Sequence, residues 1–178
     1  MSTGRVCVGV FFRLLQFVGD IACFATSLRT YRPYNSFIIT VTVLNFIYNC
    51  YIWFGVPILA GKRAYNGILF GGDIMFFLLY IGSSIFQLFT AYTYYWNEYD
   101  SGLSFSFECY YASWCIGVTC AALYYITFIM YVCWGVIPAS KHGFWKRSFE
   151  KQPFKFGCLV FDNSQVCYES KRDDEIDL

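Results

Sequence analysis

The sequence predicts an all-α integral membrane protein: a four-helix bundle, up-down-up-down, with N and C termini cytoplasmic. Three observations carry this. The chain of 178 residues is 57% hydrophobic and only 14% charged, against about 25% charge in soluble domains. The runs Pro33–Gly61, Ile74–Asn97 and Cys109–Ser140 hold no charged residue, and each exceeds the ~20 residues that a spanning helix needs. Lys and Arg gather on one side of the implied spans, which fixes orientation by the positive-inside rule.

Span one is expected over residues 6–28. Arg13, Gln16 and Asp20 interrupt its apolar run. It is therefore read as a retained helix and not a cleaved signal. A short connection with Arg29, Arg32 and Pro33 leads to span two, 37–60, which carries Asn45 and Asn49 one turn apart and Pro57 near its end. Gly61–Asn66 is expected as a tight turn with Lys62 and Arg63. Span three, 67–96, ends in Tyr92, Tyr94, Tyr95 and Trp96, aromatics suited to an interfacial belt. An acidic loop without basic residues precedes span four, 109–137, which Pro138 closes. Residues 1–138 thus form one transmembrane domain, and 139–178 a cytoplasmic tail, basic and aromatic first, then acidic, expected to be largely disordered.

The polar residues inside the spans are the candidate site. Arg13, Gln16 and Asp20 stand at i, i+3 and i+7, so they share a helix face. A charge at membrane depth costs at least ~2.5–3.5 kcal/mol and needs a partner. Arg13 lies about seven residues into span one and Asp73 about six into span three. These two spans rise in the same direction, so the charges stand at one depth, roughly 10 Å below the inner surface. Three readings follow: a structural clasp between Arg13 and Asp73, an Arg13 that snorkels to the headgroups, or a proton or ion path through Arg13, Asp20 and Asp73. For Asp20 the sequence offers Gln16, Asn45 or Asn49 as partners, or a proton.

Gly67 and Gly71 form a GxxxG, and Ser113, Gly117 and Ala121 a small-residue stripe; both suit close helix packing. Cys7, Cys133 and Cys158 fall near the inner surface and are candidates for S-acylation. In the tail, Lys141, Trp145, Lys146, Arg147, Lys151 and Lys155 alternate with aromatics, and contact with the inner leaflet is expected. A solvated linker is the plain alternative. The nine cysteines form no CxxC, and the one histidine, His142, lies outside the spans. No catalytic constellation, cofactor site or metal site is expected, and no nucleic-acid partner.

Arg13-Leu-Leu-Gln-Phe, Leu44-Asn-Phe-Ile-Tyr-Asn and Gly72-Asp-Ile-Met-Phe-Phe, on four spans with short first and second connections, resemble the MARVEL superfamily. The Arg13/Asp73 pair looks like that of the related plant Casparian-strip membrane proteins. The brevity of the chain is closer to small fungal MARVEL proteins of plasma-membrane domains. The resemblance covers roughly Val6 to Ile137. It implies a non-enzymatic organiser of lateral membrane domains, membrane apposition or vesicle traffic, in the plasma membrane or vesicles. The implied partners are lipids, including sterol- or sphingolipid-rich patches, and membrane proteins, itself included. The alternative from the residues themselves is a small ion or proton transporter using Asp20 and Asp73.

Overall fold

The computed structural model describes residues 3–29, 35–59, 63–97, 107–141, 151–155 and 158–159. Four helices are long and apolar enough to cross a membrane: Cys7–Arg29, Ser36–Gly55, Gly67–Thr93 and Cys109–Val136. The chain is an all-α, multi-pass integral membrane protein. Helix α1 is Thr3–Arg29; α2 is Ser36–Cys50, followed by α3, Val56–Leu59. Strand β1 is Arg63–Tyr65, and α4 is Asn66–Asn97. Helix α5 is Phe107–Tyr131, α6 is Ile137–Lys141, and the tail adds β2, Lys151–Lys155, and β3, Cys158–Leu159.

The helices are built inside out relative to a soluble bundle. On α1, Arg13, Gln16, Asp20, Cys23 and Ser27 are buried, while Phe11, Leu14, Leu15, Val18 and Ile21 face outward. On α4, Asp73, Phe76, Tyr80, Ser83, Ser84 and Gln87 are buried, while Met75, Leu78, Ile85 and Phe89 are exposed. Lipid explains the inversion. Acyl chains solvate Leu and Phe as well as a core does, so polar groups and small residues seek the helix–helix interfaces. The apolar part of the core has a main cluster, Cys23, Ile38, Val41, Phe76, Tyr80, Cys120, Ala121 and Tyr124, and a smaller one, Ile52, Val56 and Leu69.

Contact registers give the relative directions of the helices. Arg13 meets Asp73 and, seven residues on, Asp20 meets Tyr80, so α1 and α4 run in the same sense. Gln16 meets Thr127 while Ser27 meets Ser113, so α5 opposes α1. Asn45 meets Tyr80 while Tyr48 meets Asp73, so α2 opposes α4.

Two breaks in the helices have a common cause. The N–H of Val56 bonds the carbonyl of Tyr51, and that of Ile137 the carbonyl of Val132. Both are five-residue reaches, and they widen the helix to π form over Tyr51–Gly55 and Val132–Val136. Pro57 and Pro138 follow. A proline has no N–H and crowds the carbonyl four residues back, so the widened turn makes room for the ring.

The stretch expected only as a turn contains β1, which pairs antiparallel with β2 of the tail; β2 in turn pairs antiparallel with β3. These three strands are the non-helical regular structure among the described residues. Of the residues expected at the inner leaflet, Lys141 is exposed at the end of α6, and Lys151 and Lys155 lie in β2. Trp145, Lys146 and Arg147 lie outside the described residues. Cys7 and Cys133 are exposed free thiols, and Cys158 opens β3.

Candidate functional site

The first layer of the interior is the charge pair. Arg13 Nη1 and Nη2 donate to Asp73 Oδ1 at 2.6 Å and Oδ2 at 2.7 Å, a bidentate fork between α1 and α4. Charge assistance makes such paired bonds short and directional. Arg13 is 3% exposed and Asp73 0%, so the guanidinium does not reach out along the helix to the headgroups. Arg13 Nη1 also donates to Gln16 Oε1 at 2.9 Å, and Gln16 Nε2 donates to Thr127 Oγ1 at 3.1 Å. Tyr48 Oη donates to the Leu69 carbonyl at 3.0 Å and stands 3.4 Å from Asp73 Oδ1. All four spans therefore touch this pair or its direct partners.

Gly72 makes the approach of Tyr48 possible. A Cβ there would stand 2.5 Å from Cε2, Cζ and Oη of the Tyr48 ring. No side chain larger than hydrogen fits while Tyr48 holds its place.

The second layer lies seven residues further along α1, about 10 Å at 1.5 Å per residue. Tyr80 Oη donates to Asp20 Oδ1 at 2.7 Å and accepts from Asn45 Nδ2 at 3.0 Å. Tyr124 Oη donates to Asn45 Oδ1. Asn49 Nδ2 reaches Asn45 Oδ1 at 3.4 Å and Tyr124 Oη at 3.5 Å. The carboxylate of Asp20 has no cation against it among the described residues.

The third layer is uncharged. Ser27 Oγ donates to the Cys23 carbonyl at 2.6 Å and shares a hydrogen bond with Ser113 Oγ at 2.8 Å. Gln87 Nε2 donates to Ser113 Oγ at 3.2 Å and Asn35 Oδ1 at 3.5 Å, and Tyr110 Oη donates to the Gln87 carbonyl. Gln87 Oε1, Ser84 Oγ and Asn49 Oδ1 are buried with no hydrogen-bond partner among the described residues.

No family model matches this chain, and neither does any curated protein or solved structure compared with it.

The structure thus gathers every intramembrane polar residue singled out from the sequence. Arg13, Gln16 and Asp73 share one layer; Asp20, Asn45 and Asn49 share the next. Sequence reasoning missed Tyr48, Tyr80, Tyr124, Gln87 and Ser27, and it placed Ser113 only in a packing stripe, without its hydrogen bonds. A signal was present: Arg13, Asp20 and Ser27 repeat every seven residues, and so do Asp73, Tyr80 and Gln87. Matching the two series at one offset pairs Asp20 with Tyr80.

The small-residue stripe packs inward, with Ser113, Gly117 and Ala121 all buried. A Cβ on Gly117 would approach Ser84 Oγ to 3.3 Å, whereas one on Gly71 would meet nothing within 4 Å. Cys109 and Cys115 are both free on α5. Among the described residues no three of His, Cys, Asp and Glu come together as metal ligands do.

Proposed function

We propose that this protein is a non-enzymatic tetraspan membrane organiser of the MARVEL type. It acts by lateral packing with lipids, with other membrane proteins or with copies of itself, at the plasma membrane or in vesicles, with its termini in the cytoplasm. The observation that carries the reading is the use made of the charges. Arg13 and Asp73 are spent on each other at 2.6 and 2.7 Å, which ties α1 to α4 and leaves an outer surface of Leu, Ile, Val and Phe for lipid. A buried pair with both forks matched holds helices in one arrangement, and breaking it costs ~3–5 kcal/mol. Fluorescently tagged protein should therefore collect in surface patches that resist detergent extraction. Uniform, freely extracted fluorescence contradicts the reading.

One observation favours a second reading. Asp20 is buried in the middle of its span with Tyr80 and Asn45 around it and no countercharge among the described residues, and intramembrane carboxylates of this kind serve proton and ion movement. Reconstituted vesicles decide the matter. A transporter gives a gradient-driven flux that Asp20→Asn abolishes; an organiser gives none under proton or alkali-cation gradients.

A further inference from the structure

The charges inside the bundle do not sum to zero. Among the described residues the buried charged side chains are Arg13, Asp20 and Asp73. Arg13 and Asp73 cancel in their bidentate fork. Asp20 is left among uncharged groups: Cys23 on its own helix, Tyr80 on α4, Cys120 and Tyr124 on α5, and Asn45 and Asn49 on α2. A lone carboxylate away from water is strongly disfavoured. The second layer therefore wants one positive charge that the described residues do not supply.

A second observation concerns Asn49. It is 0% exposed, and its Oδ1 has no hydrogen-bond partner among the described residues. Its amide cannot be turned over to cure this. Asn49 Nδ2 faces Asn45 Oδ1 and Tyr124 Oη, and the Tyr124 hydroxyl already donates to Asn45 Oδ1. The opposite orientation would set one amide oxygen against another and leave Nδ2 unmatched instead. Asn45 joins this oxygen to the acid: its amide oxygen meets Asn49, and its amide nitrogen meets Tyr80 beside Asp20. A proton on Asp20 would cancel the charge but give Asn49 Oδ1 no partner. A metal cation in the layer answers both.

We propose that the second layer is a binding site for one alkali-metal cation, with the Asp20 carboxylate as its charged ligand and Asn49 Oδ1 as a neutral one. The chemistry of the donors selects the ion. Carboxylate, amide and hydroxyl oxygens are hard ligands and suit hard cations. One carboxylate balances a single charge, whereas a divalent ion would leave the interior positive. The inference stands apart from both readings of function, because an ion can be held in place without being carried across.

The test is equilibrium binding of radioactive sodium ion to the full-length protein in mild detergent, together with its unfolding midpoint in sodium, potassium and choline chloride at equal ionic strength. The native protein should take up one ion per chain in a saturable way and unfold at a higher midpoint in the alkali salts than in choline chloride. Asp20→Asn should lose the uptake and, freed of the unbalanced charge, unfold at the same midpoint in every salt. Asn49→Leu, which keeps the acid, should weaken the uptake. No saturable uptake overturns the proposal. So does uptake that Asn49→Leu or a folded Asp20→Asn leaves intact, which would place the ion elsewhere. A midpoint that rises on acidification and ignores the alkali cations also overturns it, because a proton would then be the occupant. Saturable binding without flux in vesicles removes the transport reading and leaves the site standing.

Discussion

Tyr80 shows how one hydroxyl can join a buried acid to a neighbouring amide. Its O–H donates to Asp20 Oδ1, and its oxygen accepts from Asn45 Nδ2. Tyr80→Phe removes the donor and leaves a buried carboxyl oxygen unmatched, at a cost of ~1–3 kcal/mol. The expected outcome is a lower unfolding midpoint in mild detergent, whereas Tyr125→Phe, on an exposed ring, leaves it unchanged. Gly72 gives a second test. Gly72→Ala drives a methyl into the Tyr48 ring and should destabilise by ~1–3 kcal/mol, as overpacking does. Gly71→Ala, with open space around it, should cost nothing measurable. In a double-mutant cycle with Tyr48→Ala the cost of Gly72→Ala should largely vanish.

The helices carry a regularity that no single residue reveals. Arg13, Asp20 and Ser27 on α1 stand level with Asp73, Tyr80 and Gln87 on α4, and the first two levels are direct side-chain bonds across 60 positions. Seven-residue steps keep one seam facing its partner along both helices. Gly19 lies on the neighbouring seam against α5, where a Cβ would come within 2.9 Å of Cys120 Sγ. Gly19→Ala is expected to destabilise, and Cys120→Ala in the same chain to restore the loss, as read by thermal unfolding.

The spans were legible in the sequence because hydropathy and length decide them before any packing exists, and the Arg13–Asp73 level followed from counting residues into each span. Of the partners of Asp20, Asn45 was among those the sequence offered, but Tyr80 was not found. Tyrosine in a membrane span reads as apolar bulk or as interfacial, and its hydroxyl gains a role only once a neighbouring helix is placed. The sheet was missed for a related reason: β1 is three residues long, and its partner lies across the whole of two spans. No local pattern in Arg63-Ala64-Tyr65 signals a strand.

Taken together, the molecule is a set of apolar helices tied by three polar layers, with charge confined to the first two. The strands pack at one end of the bundle, β3 against α1, β2 against α3 and β1 against α3 and α4, and the hydrogen bonds of the three layers come from helix residues. A chain ending at Lys141 should therefore keep the four-span core, with Cys23 and Cys120, both buried, still protected from maleimide in detergent; rapid labelling would show that the sheet holds the bundle shut. The most direct measurement is a charge exchange across the first layer. Arg13→Asp and Asp73→Arg should each cost ~3–5 kcal/mol of stability in lipid bicelles. Combined in one chain they should recover a large part of it, and the apolar pair Arg13→Met with Asp73→Leu should recover as much or more. If both double variants are as unstable as the single ones, Arg13 and Asp73 are not partners and the arrangement of spans described above is wrong.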